Sequence, residues 1–276
     1  MIPLSVHDVC KEFPDGTRAL NGVSFTVNPG EGMVLLGSNG SGKTTLLRCI
    51  NGLETATGGQ IYVDNVDVIA AKRRNAKKSL KRVRLQVGMV FQKFHLIGNL
   101  GVLQNVLFGS LGRTVNPLKA LSVGAPKEER MRAMACLDRV GLANLAKRRA
   151  DSLSGGQQQR VAIARMLMQD PQVVLADEPI ASLDPKSGRE VMDLLWEIVR
   201  ERNLTVICAL HQLKIAQEYG DRLVGLRHGN LVMDTPADRV DAQHLNQLYE
   251  EEADASPAMQ AETKSSVAPP AEITPR

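Results

Sequence analysis

Residues 37–45 read Gly37-Ser38-Asn39-Gly40-Ser41-Gly42-Lys43-Thr44-Thr45, which fits the spacing G-x-x-x-x-G-K-[ST] of a phosphate-binding loop. The run before it, Met33-Val34-Leu35-Leu36, is wholly apolar and predicts a short buried strand. The run after it, Thr45-Leu46-Leu47-Arg48-Cys49-Ile50, predicts the first turns of a helix. A strand ending in a glycine-rich turn that opens a helix aims several backbone N–H groups at one point. The positive end of the helix dipole points the same way. Gly37, Gly40 and Gly42 would let this backbone wrap phosphate oxygens with no Cβ in the way. Lys43 would reach the β- and γ-phosphates, and the Thr44 hydroxyl would coordinate Mg²⁺. Ser38, Asn39, Ser41 and Thr45 complete the expected triphosphate cradle. A plain glycine-rich turn would not require the flanking strand and helix. The stretch therefore predicts an α/β domain that binds a nucleoside triphosphate.

Length and composition fit that reading. A chain of 276 residues has room for one large domain and a tail, with a core that needs no disulfides. Cys10, Cys49, Cys136 and Cys208 lack C-x-x-C spacing, and three of them stand in apolar surroundings, so buried reduced thiols are expected. The opening Met1-Ile2-Pro3-Leu4-Ser5 has neither the basic flank nor the apolar stretch of a secretion signal. No apolar run approaches the ~18 residues of a membrane span, and a soluble intracellular protein is expected. The net charge of +4 is uneven, because residues 250–276 carry −4 and leave +8 on the rest. That excess is modest, and nucleic acid is not an expected partner.

Residues 4–27 alternate as two strands around the turn Pro14-Asp15-Gly16. Phe13, just before the turn, is either a core residue or a flat face on which a nucleobase stacks. Residues 58–64 predict a turn into an edge strand. Eight basic residues crowd into 72–84, read as the solvated face of a helix, or as a contact for anionic lipid headgroups or a partner's acidic loops. Residues 87–91 predict another strand, and 101–112 and 127–140 two helices with Asn116-Pro117 between them. From Tyr249 onward the apolar periodicity stops, so the expected division is a nucleotide-binding domain over 1–249 and a disordered acidic tail over 250–276.

Val173-Val174-Leu175-Ala176-Asp177-Glu178 is an unbroken apolar run ending in two carboxylates, the pattern of a central parallel strand buried on both faces. Ligands of such sheets bind beyond the carboxyl ends of the strands. Gln92 follows the strand at 87–91, and His211 follows the apolar run at 205–210, so four polar groups are expected along one rim. Phosphoryl transfer to water needs the metal held, the water oriented and the developing charge neutralised. Asp177 would hold Mg²⁺, Glu178 would polarise the water, and Gln92 would contact metal and water together. His211 would donate a hydrogen bond to the γ-phosphate.

Leu153-Ser154-Gly155-Gly156-Gln157-Gln158-Gln159-Arg160 precedes a helix expected over 157–169, with Ser154 as a good N-cap. This string resembles the signature of ATP-binding-cassette ATPases. Phe13, the phosphate loop, Gln92, the signature, Asp177-Glu178, Ser182-Leu183-Asp184 and His211 follow in that family's order, over about residues 4–235. The resemblance implies a P-loop cassette with a parallel-sheet core, an antiparallel β layer and a helical insert between Gln92 and the signature. It also implies a homodimer stacked head to tail. Each ATP would lie between one subunit's phosphate loop and the other's Ser154, Gly155, Gly156 and Gln157. Two departures are minor: Phe13 stands where tyrosine is common, and Asn39 varies a loop position.

Within the family, Val87-Gly88-Met89-Val90-Phe91-Gln92-Lys93-Phe94-His95-Leu96, the Ile180-Ala181 pair and Gln212 after His211 are similar to the phosphonate-import ATPases. Relatives that move phosphite or hypophosphite would share these features. The resemblance implies an ATP-hydrolysing subunit at the cytoplasmic face of the inner membrane. Its partners would be two permease subunits and a solute-binding protein. A soluble cassette of repair or translation is one rival, although paired cassettes and long coiled-coil arms are missing. An accessory ATPase of an intracellular phosphonate-degrading complex is another and would keep every motif.

Overall fold

The computed structural model describes residues 2–113, 125–241 and 248. Strands β1 (Leu4–Glu12) and β2 (Arg18–Val27) alternate buried and exposed side chains, as a sheet with one wet face must. β3 (Gly32–Leu36) is buried throughout and runs into α1 (Lys43–Ile50) through the phosphate loop. β4 (Gly58–Val63) pairs on the other side of β1, and the two-residue β5 (Val66–Asp67) covers β4. The antiparallel sheet thus runs β2-β1-β4-β5, and the strand expected at its edge is interior. The cause is local: Asp64, at φ 55°, turns the chain so that Val66 pairs back on Val63.

The basic stretch is two helices, α2 (Val68–Arg73) and α3 (Lys77–Gln86), broken where Asn75 takes φ 51°. The Asp67 side chain caps α2 by accepting from Ala70 N–H at 3.0 Å. Part of the basic charge is spent internally, since Lys72 and Arg84 both donate to the Gly52 carbonyl at 2.9 Å. β6 (Val87–Val90) follows. The expected helix at 101–112 is α4 (Val102–Leu107) continued by a 3-10 turn over Phe108–Ser110. Asn116 and Pro117 lie outside the described residues, as does the expected tail. α5 (Lys127–Arg139) buries Ala133, Cys136 and Leu137 on one face.

α6 (Gly155–Gln169) begins two residues earlier than expected, because Ser154 and Gln157 close a capping box. β7 (Val173–Asp177), α7 (Pro185–Glu201), β8 (Thr205–Ala209) and α8 (Leu213–Tyr219) follow. β9 (Arg222–Arg227) and β10 (Asn230–Pro236) form a hairpin through His228-Gly229, both at positive φ.

The second sheet runs β10-β9-β3-β8-β7-β6, parallel from β9 to β6, with β10 antiparallel at one edge. Its two faces carry two cores. Val34 and Leu36 join Val161, Ile163, Val191 and Leu195 on the side of α6 and α7. Met33 and Leu35 join Leu46, Ile50 and the antiparallel sheet. Each fully buried Val, Leu or Ile contributes about 1.5–3 kcal/mol, which fixes the strand ends where the functional groups sit. All four cysteines are free, three are buried, and Cys10 is half-buried.

Candidate functional site

The parallel order brings the expected groups to one rim. The phosphate loop leaves β3, His211 follows β8, Asp177 ends β7 with Glu178 next, and Gln92 follows β6. A cavity of about 380 Å³ is lined by Asn39, Gly40, Ser41, Gly42, Lys43, Thr44, Thr45, Gln92, Glu178 and Ala19. Gly37 and Gly42 are required here for packing. A Cβ on Gly37 would lie 2.3 Å from the Leu226 carbonyl oxygen, and one on Gly42 2.4 Å from that of Ala19. The β9–β10 hairpin and β2 are thereby pressed onto the loop.

Lys43 is 4% exposed and donates to the carbonyls of Gly37 at 2.8 Å and Ser38 at 3.0 Å. Its ammonium stands 3.5 Å from Glu178 Oε1. Burial pulls the Lys43 pKa below its usual range, and the Glu178 carboxylate opposes that pull. Thr44 Oγ1 donates to Asp177 Oδ1 at 2.8 Å. Burial raises the Asp177 pKa, and the Thr44 hydrogen bond works the other way. Thr44 and Asp177 therefore present two hard oxygen donors side by side beneath the loop. That set suits Mg²⁺, which takes one or two protein oxygens and completes its shell with phosphate and water. Glu178 holds φ 47°, with its N–H bonded to the Ala209 carbonyl at 3.1 Å, so β8 fixes where the carboxylate emerges.

Three expected participants lie elsewhere. His211 is exposed and is not among the residues lining the cavity. Phe13 is half-buried in the turn after β1, with the Lys11 ammonium 4.7 Å from its ring centroid. The signature forms a separate cavity of about 320 Å³, lined by Ser154, Gly156, Gln157 and Arg160 among others, with no residue shared with the first. There Ser154 Oγ accepts from Gln157 N–H at 3.3 Å, and Gln157 Oε1 accepts from Ser154 N–H at 3.1 Å. The helix start is thus satisfied from within, with its N-terminal dipole end open to an outside anion.

The sequence pattern of the family described as "ABC transporter" matches residues 20–181. The chain belongs to the ABC transporter family. "Phosphonates import ATP-binding protein PhnC" of Frankia casuarinae is 52% identical over 246 residues, covering 88% of this chain and 94% of that one. "Phosphate-import ATP-binding protein PhnC" of Mycolicibacterium smegmatis is 52% identical over 231 residues, covering 84% and 86%. Among solved structures, a dimeric post-hydrolysis ATP-binding cassette bound to ADP and Pi is similar at TM-score 0.72. It is 34% identical and covers 85% of this chain and 98% of that one. The expected cassette fold stands, and this chain is an ATP-binding, ATP-hydrolysing ABC subunit. No described helix is long and apolar enough to cross a membrane.

Sequence reasoning missed two contacts that tie the signature helix to the rim. Gln159, fully buried, donates to the Pro179 carbonyl at 2.7 Å, immediately after Glu178. Arg165 donates to the Phe94 and His95 carbonyls, just after Gln92. A glutamine and an arginine among otherwise buried helix residues are the only sequence signal of either.

Proposed function

We propose that two copies of this chain stack head to tail and energise import of a phosphonate or related phosphorus oxyanion through two permease subunits fed by a solute-binding protein. The observation that carries the dimer is the division of the phosphate loop and the signature between two cavities of one chain. A second copy supplies the missing half of each site, as befits the dimeric cassette of similar fold. Mg²⁺, when bound, neutralises charge on the β- and γ-phosphates. Thr44 and Asp177 would hold it with Gln92 at the rim beside them, and Lys43 would bind the phosphates. Glu178 accepts the proton of the attacking water. Ser154, Gly155, Gly156 and Gln157 of the second copy bring the helix N-terminus to the γ-phosphate. His211 closes on that phosphate, and Phe13 offers its ring to the base.

The solute class rests on relatives at 52% identity, of which one is named for phosphonates and one for phosphate. Permease docking at the cytoplasmic face is supported by two adjoining cavities, of about 650 and 480 Å³, that share Arg84, Phe108, Gly109 and Gln169. Phe91 and His95 line the second, so a docked segment would touch the loop that carries Gln92.

Cells lacking the protein are expected to stop growing on a phosphonate or phosphite as sole phosphorus source. Complementation with Lys93→Glu should fail to restore uptake, although the purified Lys93→Glu cassette retains its ATPase rate. Unchanged uptake of labelled phosphonate, phosphite and phosphate in the deletion strain would contradict the transport assignment. Co-purification with soluble enzymes in place of a permease would favour an accessory ATPase.

A further inference from the structure

Arg165 sits in the middle of α6 between the buried Ala164 and Met166. Its Nη1 donates to the His95 carbonyl at 2.6 Å and its Nη2 to the Phe94 carbonyl at 3.0 Å. Among the described residues it makes no ion pair with a carboxylate, and burial pulls its pKa down. The half-buried guanidinium lines the cavity of about 480 Å³ and commits both terminal nitrogens to the backbone of one loop, a grip that fixes where that loop runs.

The segment it grips is held in an unusual shape. His95 takes φ 48°, and its ring meets the edge of Phe91 at 4.6 Å between centroids, so the chain folds back within four residues. Phe94 reaches the other way. Its Cζ lies 3.7 Å from where a Cβ on Gly155 would be, at the first residue of the signature helix. Farther along, Gln169 Nε2 donates to the Arg84 carbonyl at 2.7 Å and the Val87 carbonyl at 3.0 Å, at the start of β6. α6 is therefore fastened both to the beginning of β6 and to the loop leaving its end.

We propose that Arg165 is a positioning residue that makes the Gln92 loop and the signature one mechanical unit. The inference rests on the head-to-tail dimer proposed above. In that dimer, Gln92 of a chain serves the ATP on its own phosphate loop, whereas its signature serves the other ATP. A rigid link between them makes each site's geometry depend on occupancy of the other. Arg165 thus couples the two ATP sites without touching either nucleotide.

The test is the ATP dependence of steady-state hydrolysis by the purified full chain, with nucleotide binding measured in parallel. The wild type is expected to show a Hill coefficient approaching 2, and Arg165→Lys, which replaces the planar two-nitrogen fork with a single ammonium, one near 1 with kcat lowered about 10-fold. Nucleotide affinity of the separate chains should stay within about two-fold of wild type, because the phosphate-loop cavity is untouched. Arg165→Gln removes the charge and keeps one donor nitrogen, so it reports if Arg165→Lys fails to fold. It too should lose cooperativity. Folded variants with the wild-type Hill coefficient would overturn the proposal, as would a change confined to melting temperature. Failure of the dimer reading looks different: the wild type itself would be non-cooperative and would form no ATP-dependent dimer in sedimentation, removing both.

Discussion

Glu178→Gln is expected to lower ATP turnover by about 10²–10³-fold or more while ATP binding persists. The substitution is nearly isosteric, and the backbone bond from Glu178 N–H to Ala209 that sets the residue's position is unaffected. What disappears is the only carboxylate that lines the phosphate-loop cavity among the described residues. Without it the proposed acceptor of the water's proton is gone. The change also frees Lys43 from the carboxylate 3.5 Å away, leaving its ammonium to the Gly37 and Ser38 carbonyls and to incoming phosphates. Binding should therefore hold or tighten, and a long-lived ATP-bound dimer should accumulate. Phosphate release, nucleotide binding and sedimentation on one preparation check this. Near-normal hydrolysis would remove Glu178 from the role.

Gly156→Asp should be nearly as damaging for the opposite reason, with loss of about 10²-fold in turnover. Gly156 lies in the first turn of α6, and a Cβ there would meet Ser187 Cβ at 3.2 Å, a contact that a small shift relieves. The added carboxylate stands at the helix end that the proposed dimer turns toward a γ-phosphate, where it would repel the anion. Because Gly156 shares no cavity with the phosphate loop, ATP binding to a single chain should be unchanged. Measured affinity for nucleotide, set against the hydrolysis rate, separates the two effects. Turnover close to wild type would mean that the signature does not meet the nucleotide.

The central strands were legible because burial on both faces leaves an unbroken apolar run, as in β3 and β7. The rim followed from them, since in a parallel sheet the residue after each run must lie at one end. The hairpin at 222–236 went unread although Leu223-Val224-Gly225-Leu226 and the His228-Gly229 turn mark it. Its purpose, to press a carbonyl against Gly37, is a tertiary contact that no local period encodes. The break at Asn75 was hidden for a different reason, because the core-facing Ile69, Ala76, Leu80 and Val83 keep a helical spacing straight across it. Spacing alone also gives no hint that the signature and the phosphate loop face different cavities. Only the family resemblance suggested it, and the geometry of one chain accounts for it.

Mixing two disabled chains tests the central claim most directly. A Glu178→Gln chain keeps an intact signature, and a Gly156→Asp chain keeps an intact phosphate-loop site. If ATP is held between copies, a mixed dimer contains one wholly native site and one doubly disabled site. With unbiased pairing and independent sites the mixture would reach about a quarter of the wild-type rate, and biased pairing or coupling lowers that figure, so hydrolysis should return well above either chain alone, each of which is almost inactive. An equimolar mixture no more active than its components would contradict the account.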